Sequence, residues 1–146
     1  MTVELSHSLY ANLKIAFAAE AAAFQRFTYF AQVAEIEGHL ELSKLFTELA
    51  ESTACAAHGH IDWLQYVADP ITDRPIGETH LNLAASLTSE LNDGSDLYPR
   101  LAEAAHTEGM ADVASWLETM CALKKAHVDR IERALAALTE RFGAAP

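Results

Sequence analysis

The sequence predicts an all-α protein, a four-helix bundle made of two antiparallel hairpins and one long crossover connection. Two observations lead to this prediction. Apolar residues recur at alternating steps of three and four along four long segments, which is the period of a helix with one buried face. No segment shows the two-residue alternation of a half-buried strand. The chain has 146 residues, 51% of them apolar, which suits a single domain over residues 1–146.

The first hairpin is predicted from two helical segments and the short turn between them. Helix one covers about residues 8–37 and ends at Gly38, and helix two covers about residues 41–67. Because only a few residues join these helices, we expect them to lie antiparallel.

The connection and the second hairpin follow from proline and glycine positions. Residues 68–78 contain two prolines and one glycine, so this segment cannot lie inside a helix. It is long enough to cross from one end of a bundle to the other. Helix three covers about residues 79–108, with a bend expected where Gly94 and Pro99 interrupt it. Helix four covers about residues 111–142 and ends at Gly143.

Charge and cysteine content exclude several classes of function. The net charge of −11 argues against nucleic-acid and anionic-membrane binding, since both require a basic surface. No apolar run approaches the roughly 20 residues of a membrane span, and we expect no signal peptide. Cys55 and Cys121 form no CxxC motif, which argues against paired-CxxC zinc or iron sites. We therefore expect a soluble cytoplasmic protein with free thiols.

Each predicted helix has an apolar seam whose middle is charged or small. The middle positions are Glu20 in helix one, Thr53 and Ala56 in helix two, Glu90 and Asp93 in helix three, and Lys124 and His127 in helix four. The midpoints of helices meet in an antiparallel bundle. Burying an unpaired charge costs roughly several kcal/mol. These groups must therefore pair with one another or bind a metal. The pattern predicts a shared buried site.

Three stretches, FAAEAAAFQRFTYFAQVAEIEGHLELSKLF, AESTACAAHGHIDWL and ETHLNLAASLTSELNDGSDLYPRLAEAAHTEG, resemble the rubrerythrin family over about residues 8–135. The motifs YFA, THxNL, YP and TEG carry the resemblance. It implies a ferritin-like fold, a di-iron site that reduces hydrogen peroxide, and a homodimer. The C-terminal rubredoxin domain of full-length rubrerythrins is expected to be absent.

The resemblance implies a ligand set of which this sequence keeps only part. The retained positions are Glu20, Glu90, Asp93 and His127. The replaced positions are Thr53, Ala56 and Lys124, which stand where the family has two Glu-x-x-His pairs. In the family, the glutamates of those pairs bridge the two irons, so both bridges are missing here.

Charge counting indicates what replaces the metal. In the intact site, five carboxylates and two divalent ions give a net charge of about −1. In this sequence, three acids together with Lys124 and a protonated His127 also give a net charge of about −1. We therefore predict a metal-free site, with Lys124 salt-bridged to Glu20, Glu90 and Asp93, that is not a working peroxidase and needs no cofactor. Such a protein would act by binding an unknown protein or a small molecule between its helices.

Two alternatives involve chemistry at the same residues. The four retained ligands could hold one iron or another divalent metal in an altered oxidoreductase, if Lys124 were neutral or swung away. Lys124 could instead act as a base or a Schiff-base nucleophile, which requires a lowered pKa. The surrounding acids would raise that pKa, so this alternative ranks last.

Two further residues are candidates for positions around the site. His60 lies one turn beyond Ala56 and could reach the site, although a hydrogen-bonded core histidine near Trp63 is the favoured interpretation. Tyr29 matches a tyrosine often found near the family's irons, and a structural role is favoured for it. His58 is expected on the surface or in a dimer contact.

Overall fold

A computed structural model describes residues 4–142, and all of their regular structure is helical. The helices are α1 His7–Ile36, α2 Leu40–Leu64, α3 Thr79–Asn92, α4 Tyr98–Thr107 and α5 Ala111–Phe142, with a π-helical segment, Asp93–Leu97, between α3 and α4. This confirms the all-α class. Gly143, the predicted stop of the last helix, lies outside the described residues.

The chain divides into two compact units. Unit 1 is Met1–Asp73 and contains the α1–α2 hairpin. Unit 2 is Arg74–Pro146 and contains α3, the π-helical segment, α4 and α5. The prediction of a single domain over residues 1–146 stays a prediction.

Local backbone signals define the ends of α1. The Ser6 side chain accepts a hydrogen bond from the Leu9 amide at 3.1 Å, which caps the first turn. At the other end, Gly38 has φ +83, a left-handed conformation that favours glycine. The following amide, of His39, donates to the Ala34 carbonyl at 2.8 Å. This closure ends the helix within one turn and reverses the chain into α2.

Alanine and phenylalanine side chains hold the α1–α2 hairpin together. Ala31 of α1 and Ala50 of α2 are buried, and their small side chains let the two helices approach closely. The Phe46 ring of α2 lies 6.3 Å from the Phe27 ring and 5.6 Å from the Phe30 ring of α1. Such aromatic pairs add to the apolar area that drives packing.

The connection after α2 begins earlier than predicted and is tied back to α1. The helix ends at Leu64 rather than near residue 67, and Leu64 is completely buried. Further along, Asp73 adopts φ +57 and accepts hydrogen bonds from the Tyr10 hydroxyl at 2.7 Å and the Lys14 ammonium at 3.2 Å. These contacts hold the end of the connection against the first turns of α1.

The break predicted at Gly94 and Pro99 is a π-helical segment. Pro99 is the second residue of α4, directly after the π-helical segment, and its missing amide hydrogen removes one donor from the helical ladder at this break. Gly109, with φ +74, ends α4 and turns the chain into α5. Unit 2 is therefore also an antiparallel hairpin, with one arm made of α3, the π-helical segment and α4.

None of the helices in the described part of the chain is both long enough and apolar enough to cross a bilayer.

We predict that replacing Asp73 with asparagine lowers the pKa of Tyr10. Burial, the hydrogen bond to Asp73 and its negative charge together raise the pKa of Tyr10 to about 12. The substitution Asp73→Asn removes the charge but not the burial, so the pKa should fall part of the way toward 10.0. A tyrosinate absorbance titration measures this, with Tyr10→Phe identifying which transition belongs to Tyr10. An unchanged titration in Asp73→Asn would contradict the contact.

Candidate functional site

Side chains from α3 and α5 meet in a chain of charge-assisted hydrogen bonds. The Lys124 Nζ donates to Glu90 Oε1 at 2.9 Å, and Glu90 Oε2 lies 2.8 Å from the His127 Nδ1. Lys124 and His127 are three residues apart on α5, so both point to the same side of the helix. One carboxylate of α3 thus engages two side chains of α5 through separate oxygens.

The π-helical segment adds a second acid and a close backbone approach. Asp93, its first residue, places Oδ2 at 3.7 Å from the Lys124 Nζ. The next residue, Gly94, is buried, and a Cβ built on it would lie 3.0 Å from the Lys124 Cβ. A side chain at position 94 would therefore push α5 away, and glycine allows α5 to pack directly on the backbone here.

Partial burial strengthens the pair between Lys124 and Glu90. Their side chains are 17% and 18% exposed. Burial alone would raise the pKa of Glu90, but the hydrogen bonds and charges of Lys124 and His127 outweigh it and hold that pKa below its ordinary value. Burial would likewise lower the pKa of Lys124, but the bond to Glu90 and the nearby charge of Asp93 raise it. Both groups are therefore ionised at neutral pH.

The ionised Glu90 fixes the hydrogen-bonding role of His127. A carboxylate can only accept, so the Nδ1 of His127 carries the proton of their shared bond. In the neutral imidazole, the Nε2 atom then has a free lone pair. The His127 side chain is 38% exposed.

The predicted residues of unit 2 therefore lie together. Glu90, Asp93, Lys124 and His127 form one cluster, and Lys124 pairs with two of the three acids that the sequence assigned to it. The raised pKa of Lys124 argues against a base or Schiff-base lysine, as the sequence had indicated. Whether these residues bind a metal stays a prediction.

The other predicted positions lie in unit 1. Glu20, Thr53 and Ala56 are partly buried, and the Thr53 hydroxyl donates to the Ala50 carbonyl at 2.9 Å. The participation of Glu20 in the charge cluster stays a prediction.

The other residues predicted around the site differ in burial and in hydrogen bonding. His60 is partly buried and makes no hydrogen bond within residues 4–142, and whether it is a core histidine or reaches the site stays a prediction. His58 is on the surface beside Asp62, as predicted. Tyr29 is 60% exposed. Cys55 and Cys121 are free thiols, as expected.

Within residues 4–142, no group of three or more histidine, cysteine and acidic side chains has a geometry suited to a metal ion.

Sequence reasoning missed the structural role of Gly94. It marks a helix interruption in the sequence, but its contact with Lys124 depends on the distance between two helices. The only local signal was the position of Gly94 directly after Asp93, next to a polar residue of the seam.

We predict that Gly94→Ala destabilises the protein by about 1–3 kcal/mol, because the added methyl group overpacks the contact with Lys124. Urea unfolding measures the change in the free energy of unfolding. The matched control is Gly59→Ala in α2, where a Cβ meets nothing within 4 Å. That change should stabilise the protein by about 0.5–1 kcal/mol through helix propensity. Equal effects of the two substitutions would contradict the packing role of Gly94.

We also predict that Lys124→Met lowers the free energy of unfolding by about 1–3 kcal/mol near neutral pH, because Glu90 loses a charged hydrogen bond. The lowered pKa of Glu90 means that its contribution is lost as pH falls through and below 4.5, its ordinary pKa. The raised pKa of Lys124 means that its contribution is lost as pH rises above 10.5.

Unfolding measured across pH tests this, with Lys125→Met on the exposed neighbouring position as control. The difference between wild type and Lys124→Met should be largest between these two pH limits. A difference that does not vary with pH would show that the lysine acts through packing alone.

Comparisons with known proteins agree with the resemblance seen in the sequence. The rubrerythrin family model matches residues 11–135. Rubrerythrin-1 of Clostridium acetobutylicum is 29% identical over 140 residues, covering 88% of this chain and 70% of the relative. Rubrerythrin of Porphyromonas gingivalis is 33% identical over 123 residues, covering 82% and 62%. A putative rubrerythrin of Methanocaldococcus jannaschii is 28% identical over 146 residues, covering 88% and 70%.

The chain spans about two thirds of the length of these relatives, so their activities bear on it only as a proposal. The match to the family model extends across both helical hairpins. The predicted fold class, an all-α ferritin-like four-helix bundle, is therefore confirmed, and the chain belongs to the rubrerythrin family.

Proposed function

We propose that this chain is a rubrerythrin-family protein in which a lysine ammonium replaces metal at the di-iron position, and that it does not work as a peroxidase. The observation that carries the proposal is the Lys124 Nζ, 2.9 Å from Glu90 and 3.7 Å from Asp93. An ammonium group has no lone pair while protonated and cannot ligate a metal. Its raised pKa keeps it protonated.

The donors of unit 2 do not fit a di-iron centre. Both oxygens of Glu90 are engaged, one by Lys124 and one by His127. The His127 Nδ1 is engaged by the same carboxylate, and Asp93 is shared with Lys124. Two hard divalent cations need several free carboxylate oxygens to offset their mutual repulsion. A cation already held by the same acids competes directly for those oxygens.

A protein with this site would act by binding rather than by redox chemistry. The ion pairs give it a fixed polar layer between helices, and the family resemblance suggests a homodimer. We propose a small molecule bound between helices as its ligand, and the cytoplasm as its location.

A second candidate is an oxidoreductase with one divalent metal. It is supported by the free Nε2 of His127 and by Asp93, whose side chain is 29% exposed and whose contact with Lys124 is long. With Glu20 and Glu90, the other two retained ligand positions, these groups would form an oxygen-rich shell with one imidazole. The raised pKa of Lys124 works against it, because the lysine would have to lose its proton or move away.

Metal content distinguishes the two candidates. We predict less than about a tenth of a metal atom per chain by plasma mass spectrometry, both after expression with added iron and after anaerobic Fe(II) addition. The physical reason is that the Lys124 ammonium group already pairs with the acids that a metal would need. Near one metal atom per chain would favour the mononuclear oxidoreductase and call for peroxide and oxygen assays. Near two would overturn the proposal.

The substitution Lys124→Glu provides a second test of the proposal. It removes the competing cation and restores one bridging carboxylate, but Thr53 and Ala56 remain without ligand atoms of the family type. We predict that this variant binds at most one Fe(II) per chain, measured in the same way. Lys124→Met, which removes the cation without adding a ligand, is the control. Two irons in Lys124→Glu would show that the other positions suffice.

A further inference from the structure

One side of α1 is both apolar and exposed, and we call it the outer face. Its large side chains are Ile15, Tyr29 and Ile36, which are 70%, 60% and 86% exposed. Between them lie exposed alanines: Ala11, Ala18 and Ala22. These positions recur at steps of three, four and seven residues, so they form one strip along the helix.

Helical geometry places the outer face opposite both the seam and the contact with α2. Nine residues are two and a half turns of an α-helix, so residues nine apart lie on opposite sides. Tyr29 is nine residues after Glu20, which belongs to the seam. Ala22 is nine residues before Ala31, which is buried in the α1–α2 hairpin. The contacts inside the hairpin therefore leave the outer face uncovered.

The outer face carries no carboxylate, although the chain has a net charge of −11. The acids of α1 are Glu20 and Glu35, and neither lies on the strip. Arg26, beside the strip, lies over the Phe27 and Phe30 rings at 5.9 and 5.5 Å. Two copies of an acidic chain repel each other wherever their carboxylates meet. An acid-free face is therefore a surface on which two copies can approach closely.

The side chains of this face match one another in size under a two-fold axis at Ala22. In an antiparallel pair of α1 helices centred there, residues equally far before and after position 22 face each other. Helical side chains cover the turn on the N-terminal side of their own Cα. Tyr29 therefore covers the partner's Ala18, and Ile36 covers the partner's Ala11. Tall side chains of each copy lie over short side chains of the other.

The strip is large enough for a weak dimer. From Ala11 to Ile36 it is roughly 38 Å long at 1.5 Å per residue, and a helix is about 10 Å wide. Pairing two such strips buries on the order of 1,000 Å² over both chains, which is the low end for specific interfaces.

We propose that the outer face of α1 is the contact between two copies of this chain, antiparallel and centred on Ala22. Its mixture of aliphatic and tyrosine side chains without acids is the composition typical of the core of a protein interface. The inference deepens the homodimer of the proposed function by naming its surface, and it rests on that function only for the existence of a dimer. We expect a dissociation constant of roughly 1–100 µM.

Sedimentation of the whole chain over a range of concentrations tests the proposal, with two neighbouring exposed alanines as a matched pair. Ala22→Glu places two carboxylates together at the axis and should raise the dissociation constant about tenfold or more. Ala21→Glu adds the same charge about a quarter turn away and should raise it less than about threefold. A wild type that stays monomeric up to about 500 µM would overturn the proposal, as would equal effects of the two variants.

A disulfide locates the axis. In a chain with Cys55→Ser and Cys121→Ala, the variant Ala22→Cys should form an intermolecular disulfide under copper–phenanthroline oxidation, since symmetry places position 22 of one copy beside position 22 of the other. Ala21→Cys is the control and should cross-link about tenfold more slowly or less. Equal cross-linking of the two variants would contradict an axis at Ala22.

Metal content keeps this test separate from that of the lysine site. A monomeric and metal-free protein would overturn the dimer and its surface while the lysine site stands. A dimer that Ala22→Glu dissociates, with two metal atoms per chain, would support the surface and overturn the lysine site. A dimer that Ala22→Glu leaves intact would overturn the surface alone.

Discussion

The site of this protein depends on one carboxylate. Glu90 receives a hydrogen bond from Lys124 on one oxygen and from His127 on the other, at 2.9 and 2.8 Å. Without the lysine, a partly buried acid would face the desolvation penalty with only an imidazole to offset it. With it, the acid is ionised, the histidine tautomer is fixed and the lysine is held in its charged form. The ionised states of Glu90 and Lys124 therefore follow from a single arrangement.

That arrangement requires α3 and α5 to lie close together over a particular stretch. Gly94 lets α5 pack directly on backbone, and the π-helical segment begins at Asp93, which supplies the second acid. Alanines such as Ala85 and Ala114 fill the buried positions of the same unit. Short side chains at the contact allow α3 and α5 to lie close together. This proximity is what lets the lysine side chain reach from one helix to the acids of the other.

Membership of the rubrerythrin family bears on how this cluster is interpreted. In the proposed function, an ammonium group takes the place of metal ions in balancing the carboxylates, which would conserve local charge while changing the chemistry.

The sequence by itself determined the helical class, the two hairpins, the break near Gly94 and the four polar residues of unit 2. Helical periodicity and turn residues are local, so they are readable without tertiary contacts. It could not predict that Leu64 ends α2 or that the break is π-helical. Which oxygen of Glu90 meets which partner, and how closely Gly94 approaches Lys124, were decided only by tertiary structure, because both depend on the distance between two helices far apart in the chain.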